Sequence, residues 1–310
     1  MILDILLIII GVAMVLGGAD RLTEGAAALA RRMNVSEIII GLTIVAAGTS
    51  APELFVSVMS ALNGTPDLAV GNVVGSNTMN CMLIVGCAAM VAPMTISRST
   101  VKKDIPFSVG ASLLLTILAV DYFLGRTDGI ILLIAFAVFM AYTLSQAKKG
   151  NVDADTTQVK QLNPWLSLGY VVLGLALLVA GSNLFVDSAS DVAYSLGISE
   201  GVVGLTIVAG GTSLPELATS VVAARKGQSA IAIGNVIGSN VFNILLILGL
   251  TATISPLQIQ GITTIDMAVM LVSVSLVWLF SYTRFTVERW EGALLVGGYL
   301  VYLVWLISSL

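Results

Sequence analysis

Two glutamates stand where an ionisable side chain is costly. Glu53 and Glu216 close the segments GLTIVAAGTSAPE (41–53) and GLTIVAGGTSLPE (204–216), each inside a long apolar stretch. A charge at the centre of a bilayer costs on the order of 3 kcal/mol on insertion scales, so an ionisable group there reads as functional. Thr49 lies four residues before Glu53, and Thr212 four before Glu216, which puts hydroxyl and carboxylate on one helix face. In GNVVGSNTMN (71–80) and GNVIGSNVFN (234–243), the pairs Ser76–Asn80 and Ser239–Asn243 repeat that spacing. Four such pairs converging from four helices would offer two carboxylates and many neutral oxygens. The chain has no histidine, and its only thiols are Cys81 and Cys87. Six residues apart on one helix, these point in different directions and suit neither a disulfide nor a thiolate metal site. Oxygen-only ligation points to a hard cation.

The backbone adds to this chemistry. Pro52 and Pro215 lack an N–H, so the carbonyls of Gly48 and Gly211, four residues earlier, lose their helical partners. A helix broken at membrane depth is tolerated where it lines a cavity, and freed carbonyls are hard oxygen ligands. Two carboxylates give an empty site a charge of −2, which one Ca²⁺ or two Na⁺ neutralise. Carrying the empty site across the low-dielectric middle is costly unless the carboxylates protonate, which favours obligatory exchange over uniport.

The elements that position these residues follow from composition. Of the 310 residues, 57% are hydrophobic and 10% charged; soluble domains carry about 25% charged residues. The natural solvent is lipid. No basic patch suggests a nucleic-acid partner. Apolar stretches predict ten transmembrane helices, over 2–30, 36–62, 67–93, 104–121, 127–147, 164–194, 199–224, 229–254, 264–283 and 288–309. The first reads as a retained span, since MILDILLIII has no basic region before it and no small-residue cleavage site after it. With the N-terminus outside, inner loops hold Arg31, Arg32, Arg98, Lys102, Lys103, Lys148, Lys149, Lys160, Arg225, Lys226, Arg284 and Arg289. Those are 12 of the 14 basic residues, and the bias supports an N-out, C-out orientation. The polar segment 148–163 reads as a cytoplasmic linker, too short for a folded regulatory domain. It separates a first five-helix repeat, 1–147, from a second, 164–310.

The repeat is explicit. The two GLTIVA segments agree at 11 of 13 positions and the two GN segments at 7 of 10, at one offset of 163 residues. Pro93 and Pro256, and Ser36-Glu37 and Ser199-Glu200, keep that offset. Five spans per half is an odd number, so the second half must enter the membrane from the opposite side. Inverted repeats of this kind place a transport site where the two copies meet. Both half-sites lie in one chain, so a monomer suffices.

At GTSAPE and GTSLPE, each followed about twenty residues on by GNVVGSN or GNVIGSN, the chain resembles the calcium/cation antiporter superfamily, and most closely its prokaryotic sodium/calcium exchangers. The resemblance implies an integral protein of the prokaryotic cell (inner) membrane that exchanges Na⁺ for Ca²⁺ by alternating access, with no cofactor and no enzymatic activity. It implies a central Ca²⁺ site of Glu53, Glu216, Thr49 and Thr212. Ser50, Ser213, Ser76, Ser239, Asn80 and Asn243 would complete Na⁺ sites, with the backbone carbonyls of Ala46 and Ala209. The first and sixth spans would slide against the remaining bundle. Asparagine at both 80 and 243, where potassium-dependent relatives carry an acidic residue, argues against K⁺ coupling. Proton-coupled relatives place a glutamate in the GN motif, and neither copy here contains one. An H⁺/Ca²⁺ antiporter is the alternative. A cation channel fits less well, because broken helices in inverted copies suit alternating access better than a ring-shaped filter. An intramembrane hydrolase lacks any nucleophile or metal-ligand pattern beside the glutamates.

Several of these residues also have plainer readings. Gly71, Gly75, Gly234 and Gly238 form small-xxx-small patterns that pack helices. The Ser50 and Ser213 hydroxyls can bond their own helix backbone. Asn80 and Asn243 can serve as interhelical hydrogen bonds. Asp20, Arg21 and Glu24 read as a local ion-pair cluster, Asp187 and Asp191 as a solvated helix end, and Glu37 and Glu200 as helix-start residues.

Overall fold

The computed structural model describes residues 2–148, 163–197, 207 and 209–308. All but the ends of the expected linker 148–163, together with Ser199-Glu200 and half of the second GLTIVAGG segment, lie outside the described residues.

The described chain is helical almost throughout. Helix α1 (Ile2–Arg32) ends on Arg31 and Arg32, a basic last turn that suits its negative dipole end. Asn34 then turns the chain with a left-handed φ of 53°. The expected span 36–62 is two helices, α2 (Glu37–Thr49) and α3 (Ala51–Leu62), bent by 46°. Ser50, at φ −81° and ψ 6°, is the break. Pro52 sits in the first turn of α3, where its missing N–H costs nothing, so the proline starts a new helix instead of kinking an old one. Helix α4 (Pro66–Val91) also opens on proline, and a π-helical turn over Asn80–Ile84 interrupts it. A π-helical turn at Thr100–Asp104 leads into α5 (Ile105–Leu118), and α6 (Arg126–Lys148) follows. The second half runs α7 (Pro164–Ser195), α8 (Ala209–Thr212), α9 (Leu214–Arg225), α10 (Ser229–Ile254), α11 (Thr264–Arg284) and α12 (Arg289–Ser308). The break between α8 and α9 falls at Ser213, with Pro215 in the first turn of α9.

Among the described residues seven helices (α1, α4, α6, α7, α10, α11 and α12) are long and apolar enough to cross a membrane, and the bent pair α2–α3 makes eight. The other two expected spans are not among these. The stretch 104–121 belongs to a helical run over 98–118, whose first turns carry Arg98, Lys102, Lys103 and Asp104, more charge than an apolar span of that length holds. The stretch 199–224 is described only from Ala209 onward, apart from Ile207.

Contacts between the halves recur under exchange at the 163-residue offset. Strand β1 (Met94–Thr95) pairs antiparallel with β4 (Thr286–Val287), Met94 opposite Val287. Strand β2 (Phe123–Leu124) pairs in the same way with β3 (Leu257–Gln258), Leu124 opposite Leu257. Each ribbon is the other with every residue moved by the offset. The same holds for close helix crossings: a Cβ at Gly292 would lie 2.7 Å from Gly86 O, and one at Gly129 would lie 2.7 Å from Gly249 O.

Helices α4 and α10 form the centre, with 78% and 94% of their apolar windows buried, against 22% for α1 and 28% for α7. Helices α1 and α7 lie antiparallel along a row of small residues spaced by seven. A Cβ at Gly11 would lie 2.8 Å from Gly181 O, one at Gly18 2.8 Å from Gly174 O, and one at Gly25 2.7 Å from Ser167 O. Only glycine allows these backbones to come so close, so the two helices form one tight pair.

Candidate cation site

The two helix breaks face each other across α4 and α10. Glu53 lies in the first turn of α3 and Glu216 in the first turn of α9, and both are fully buried. A helix N-terminus is a favourable place for a carboxylate. Each glutamate is met by a hydroxyl from the opposite half. Ser50 Oγ donates to Glu216 Oε1 at 3.2 Å, and Ser213 Oγ donates to Glu53 Oε1 at 3.2 Å. Ser213 Oγ also lies 3.1 Å from Ser76 Oγ, and Ser239 Oγ lies 3.4 Å from Glu216 Oε1. The break serines thus cross-link the halves, and no bond to their own helix backbone is needed to account for them. Thr49 Oγ1 donates to Asn235 Oδ1 at 3.0 Å and lies 3.4 Å from Ser239 Oγ. Thr212 is buried at the end of α8.

Four buried side-chain oxygens at this place have no hydrogen-bond partner: Glu53 Oε2, Glu216 Oε2, Asn80 Oδ1 and Asn243 Oδ1. They form two offset-related pairs. A buried acceptor left unmade costs about 1–3 kcal/mol, and a cation bound among them would use these oxygens. The donor set is two carboxylates and neutral oxygens, and no group of three or more His, Cys, Asp or Glu forms among the described residues. That composition suits a hard cation held with a charge of −2.

The carbonyl expectations divide. Gly211 O accepts a hydrogen bond from Ser182 Oγ on α7 at 2.5 Å, so a side chain takes up the carbonyl that Pro215 releases. Ala46 O accepts from Ser50 N at 3.0 Å, and Thr49 Oγ1 lies 3.4 Å away. Ala209 opens α8.

Other residues of the assembly escaped the reading of the sequence. Asn72 Nδ2 donates to Glu53 O (3.2 Å) and to Ser57 Oγ (3.0 Å), and Asn235 Nδ2 donates to Glu216 O (3.3 Å) and to Ser220 Oγ (3.0 Å). These clamps hold the first turns of α3 and α9 against α4 and α10. Asn77 and Asn240 bridge α4 and α10 directly. All six recur at the 163-residue offset: the four asparagines lie inside the GN segments already compared, and only Ser57 and Ser220 lie beyond the motifs. Ser182 has no such signal, since Ala19 stands at its counterpart. Of the four glycine positions two make close helix crossings, since a Cβ at Gly234 would meet Ile38 O at 2.8 Å and one at Gly238 would meet Leu42 O at 2.8 Å, whereas Gly71 nears only the Ile262 side chain at 3.2 Å and Gly75 meets nothing within 4 Å. Cys81 and Cys87 are free thiols. Asp20 pairs with Arg21 at 2.8 Å, as expected, and also with Lys226 of the second half at 2.7 Å. Asp187 and Asp191 are exposed.

Comparison with known proteins agrees with this geometry. The family model described as sodium/calcium exchanger protein matches residues 3–145 and 166–308. The inner membrane protein YrbG of Escherichia coli (strain K12) is 38% identical over 317 residues, covering 99% of this chain and 97% of that one. The sodium/calcium exchanger MaX1 of Methanosarcina acetivorans is 32% identical over 341 residues, covering 97% of each. A solved structure of the sodium-calcium exchanger NCX_Mj superposes with a TM-score of 0.86 at 30% identity, covering 98% of each chain.

Proposed function

The chain belongs to the sodium/calcium exchanger family, a family of integral membrane cation antiporters, and from that membership we propose that it exchanges Na⁺ for Ca²⁺ by alternating access. The observation that carries this reading is the set of four buried, unpartnered oxygens, Glu53 Oε2, Glu216 Oε2, Asn80 Oδ1 and Asn243 Oδ1. Ca²⁺ is held by the two carboxylates with Thr49 and Thr212. Na⁺ ions occupy flanking positions among Ser50, Ser213, Ser76, Ser239, Asn80, Asn243 and the carbonyls of Ala46 and Ala209. Ca²⁺ alone neutralises the −2 site, and so do two Na⁺. Either load lets the site pass through low dielectric without a bare charge, which links the two ion movements.

The transport architecture is ten spans in two inverted five-helix repeats, 1–147 and 164–310, joined by a cytoplasmic linker over 148–163, with both termini outside. Pairing of the two ribbons supports this count. In a ten-span path the loops holding β1 and β4 lie on one side and those holding β2 and β3 on the other. The residues Arg98, Lys102, Lys103, Arg284 and Arg289 flank the first ribbon, as an inner face requires. The α1–α7 pair, locked by its glycine row, moves as a unit over the bundle. A single chain carries the whole site, and the prokaryotic inner membrane is its location.

The test is ⁴⁵Ca²⁺ uptake by purified protein in Na⁺-loaded vesicles diluted into Na⁺-free buffer, with a pH gradient as control. Uptake that needs internal Na⁺ is the expected result. Uptake driven only by the pH gradient moves the coupling to H⁺, and no uptake under either gradient removes Ca²⁺ as substrate.

A further inference from the structure

We propose that Asn77 and Asn240 are positioning residues, which hold the amides of Asn80 and Asn243 with their oxygens, and not their nitrogens, free for the transported cation. The proposal rests on the cation-site reading above. An asparagine amide has two ends of nearly equal size. Turning it over costs little in space, but it replaces an acceptor by a two-proton donor. A cation site tolerates only the oxygen end, so something must fix the choice.

The network does so by exchange between the halves. Asn80 Nδ2 donates to Asn240 Oδ1 at 3.0 Å, and Asn243 Nδ2 donates to Asn77 Oδ1 at 3.0 Å. Each bond is the other moved by the 163-residue offset, and all four asparagines are buried. With their nitrogens engaged, Asn80 Oδ1 and Asn243 Oδ1 are left buried without a partner. The orientation of the positioning residues is itself fixed. Asn77 Nδ2 donates to the backbone carbonyl of Asn240 at 3.1 Å. A carbonyl only accepts, so the nitrogen of Asn77 must face it. Its oxygen must then face Asn243, and Asn243 must turn its own oxygen away. Only this orientation of Asn77 and Asn243 satisfies both bonds.

The other branch is held less firmly. Asn240 Nδ2 donates to Cys81 Sγ at 2.9 Å, and a thiol can donate as well as accept. Cys81 has no counterpart, since Ile244 stands at the offset position. The branch through Asn77 therefore carries the stricter control.

A double-mutant cycle separates positioning from general support. Asn77→Leu removes the acceptor and lets the Asn243 amide turn over. Asn243→Asp presents an oxygen whichever way it is turned. We measure the apparent KM for Ca²⁺ in vesicle exchange and Ca²⁺ binding by calorimetry in detergent, with thermal unfolding to monitor folding. In the native background Asn77→Leu is expected to raise KM about tenfold or more, matching loss of one good ligand of about 1.4 kcal/mol. In the Asn243→Asp background the same change is expected to raise it less than about twofold, since no orientation is left to control. An equal effect in both backgrounds, or no effect in the native one, overturns the proposal. If Asn77→Leu does not fold, the related cycle of Asn240→Leu with Asn80→Asp applies the same criterion. Failure of the native protein to bind or exchange Ca²⁺ overturns the site reading itself. An additive cycle in an active exchanger overturns only the positioning role.

Discussion

Replacing Glu216 by glutamine tests the charge argument with almost no change of shape. Ser50 and Ser239 hydroxyls lie 3.2 and 3.4 Å from Glu216 Oε1. Those donors keep an amide oxygen at that place and direct the new NH₂ to the position of Oε2, the buried atom without a partner. The substitution thus removes one negative charge and aims two protons at the cation. Breaking a buried charge pair by removing one partner costs about 3–5 kcal/mol. At 1.4 kcal/mol per tenfold, Ca²⁺ affinity is expected to fall by about two to nearly four orders of magnitude. The residual site charge of −1 is still balanced by a single Na⁺, so Na⁺ binding is expected to weaken less than Ca²⁺ binding. Calorimetry with each ion on folded Glu216→Gln protein, and ⁴⁵Ca²⁺ uptake in vesicles, measure both quantities. Ca²⁺ affinity within tenfold of native, or equal losses for the two ions, would refute the charge argument.

Further outcomes follow from packing and from the neutral members of the site. Gly174→Ala places a Cβ 2.6 Å from Leu22 N and 2.8 Å from Gly18 O, both backbone atoms. It is expected to cost about 1–3 kcal/mol by overpacking, seen as a lower thermal midpoint, whereas Gly17→Ala, which meets nothing within 4 Å, leaves the midpoint unchanged. Ser182→Ala strips the hydroxyl from Gly211 O, and loss of a buried partner is expected to cost about 1–3 kcal/mol in the same measurement. Asn80 and Asn243 bring no charge to hold an additional K⁺, so Ca²⁺ uptake is expected to be equal in K⁺ and choline media. Uptake that rises with K⁺ would contradict the neutral reading of these two positions.

Much of the site was legible because it is written twice. A duplicated GTS-x-PE with a proline, a glutamate and a threonine four residues before it specifies a broken helix with an ionisable group at the break. The structure adds what spacing cannot supply, namely which half each side chain serves. Ser50 and Ser213 read either as site hydroxyls or as local backbone bonds, and each reaches the other half's glutamate. Asn80 and Asn243 read as either ligands or interhelical bonds, and the two ends of one amide do both, the nitrogen bonded and the oxygen unpartnered. Periodicity could not reveal that choice, because it depends on the partner across the interface. Hydropathy located the long helices but read 36–62 as one span, where the chain bends by 46° at Ser50. An apolar window is blind to a break made by one residue.

The places where the two-fold relation fails bear on which way the site opens. In the proposed alternating-access cycle, exchange of the halves turns one facing state into the other, and every contact with a counterpart stabilises both. Only contacts without a counterpart favour one state. The polar contacts that tie α1 and α7 to the bundle are of this kind. Lys226 Nζ lies 2.7 Å from Asp20 Oδ1 and donates to Asp20 O (2.8 Å) and Thr23 Oγ1 (3.1 Å). The counterpart positions hold Asn63, Asn183 and Val186, which cannot form that ion pair. Ser182 and Gly211 correspond to Ala19 and Gly48, which lack the hydroxyl. Asp20 is 42% exposed, and an exposed pair is worth at most about 1 kcal/mol. That corresponds to a population ratio of about fivefold. Lys226→Met in vesicles of defined sidedness is therefore expected to move the apparent KM values for Ca²⁺ on the two faces in opposite directions, each by up to about fivefold. A purely structural contact would shift both in the same direction, and that result, or no shift, would refute a one-sided tether.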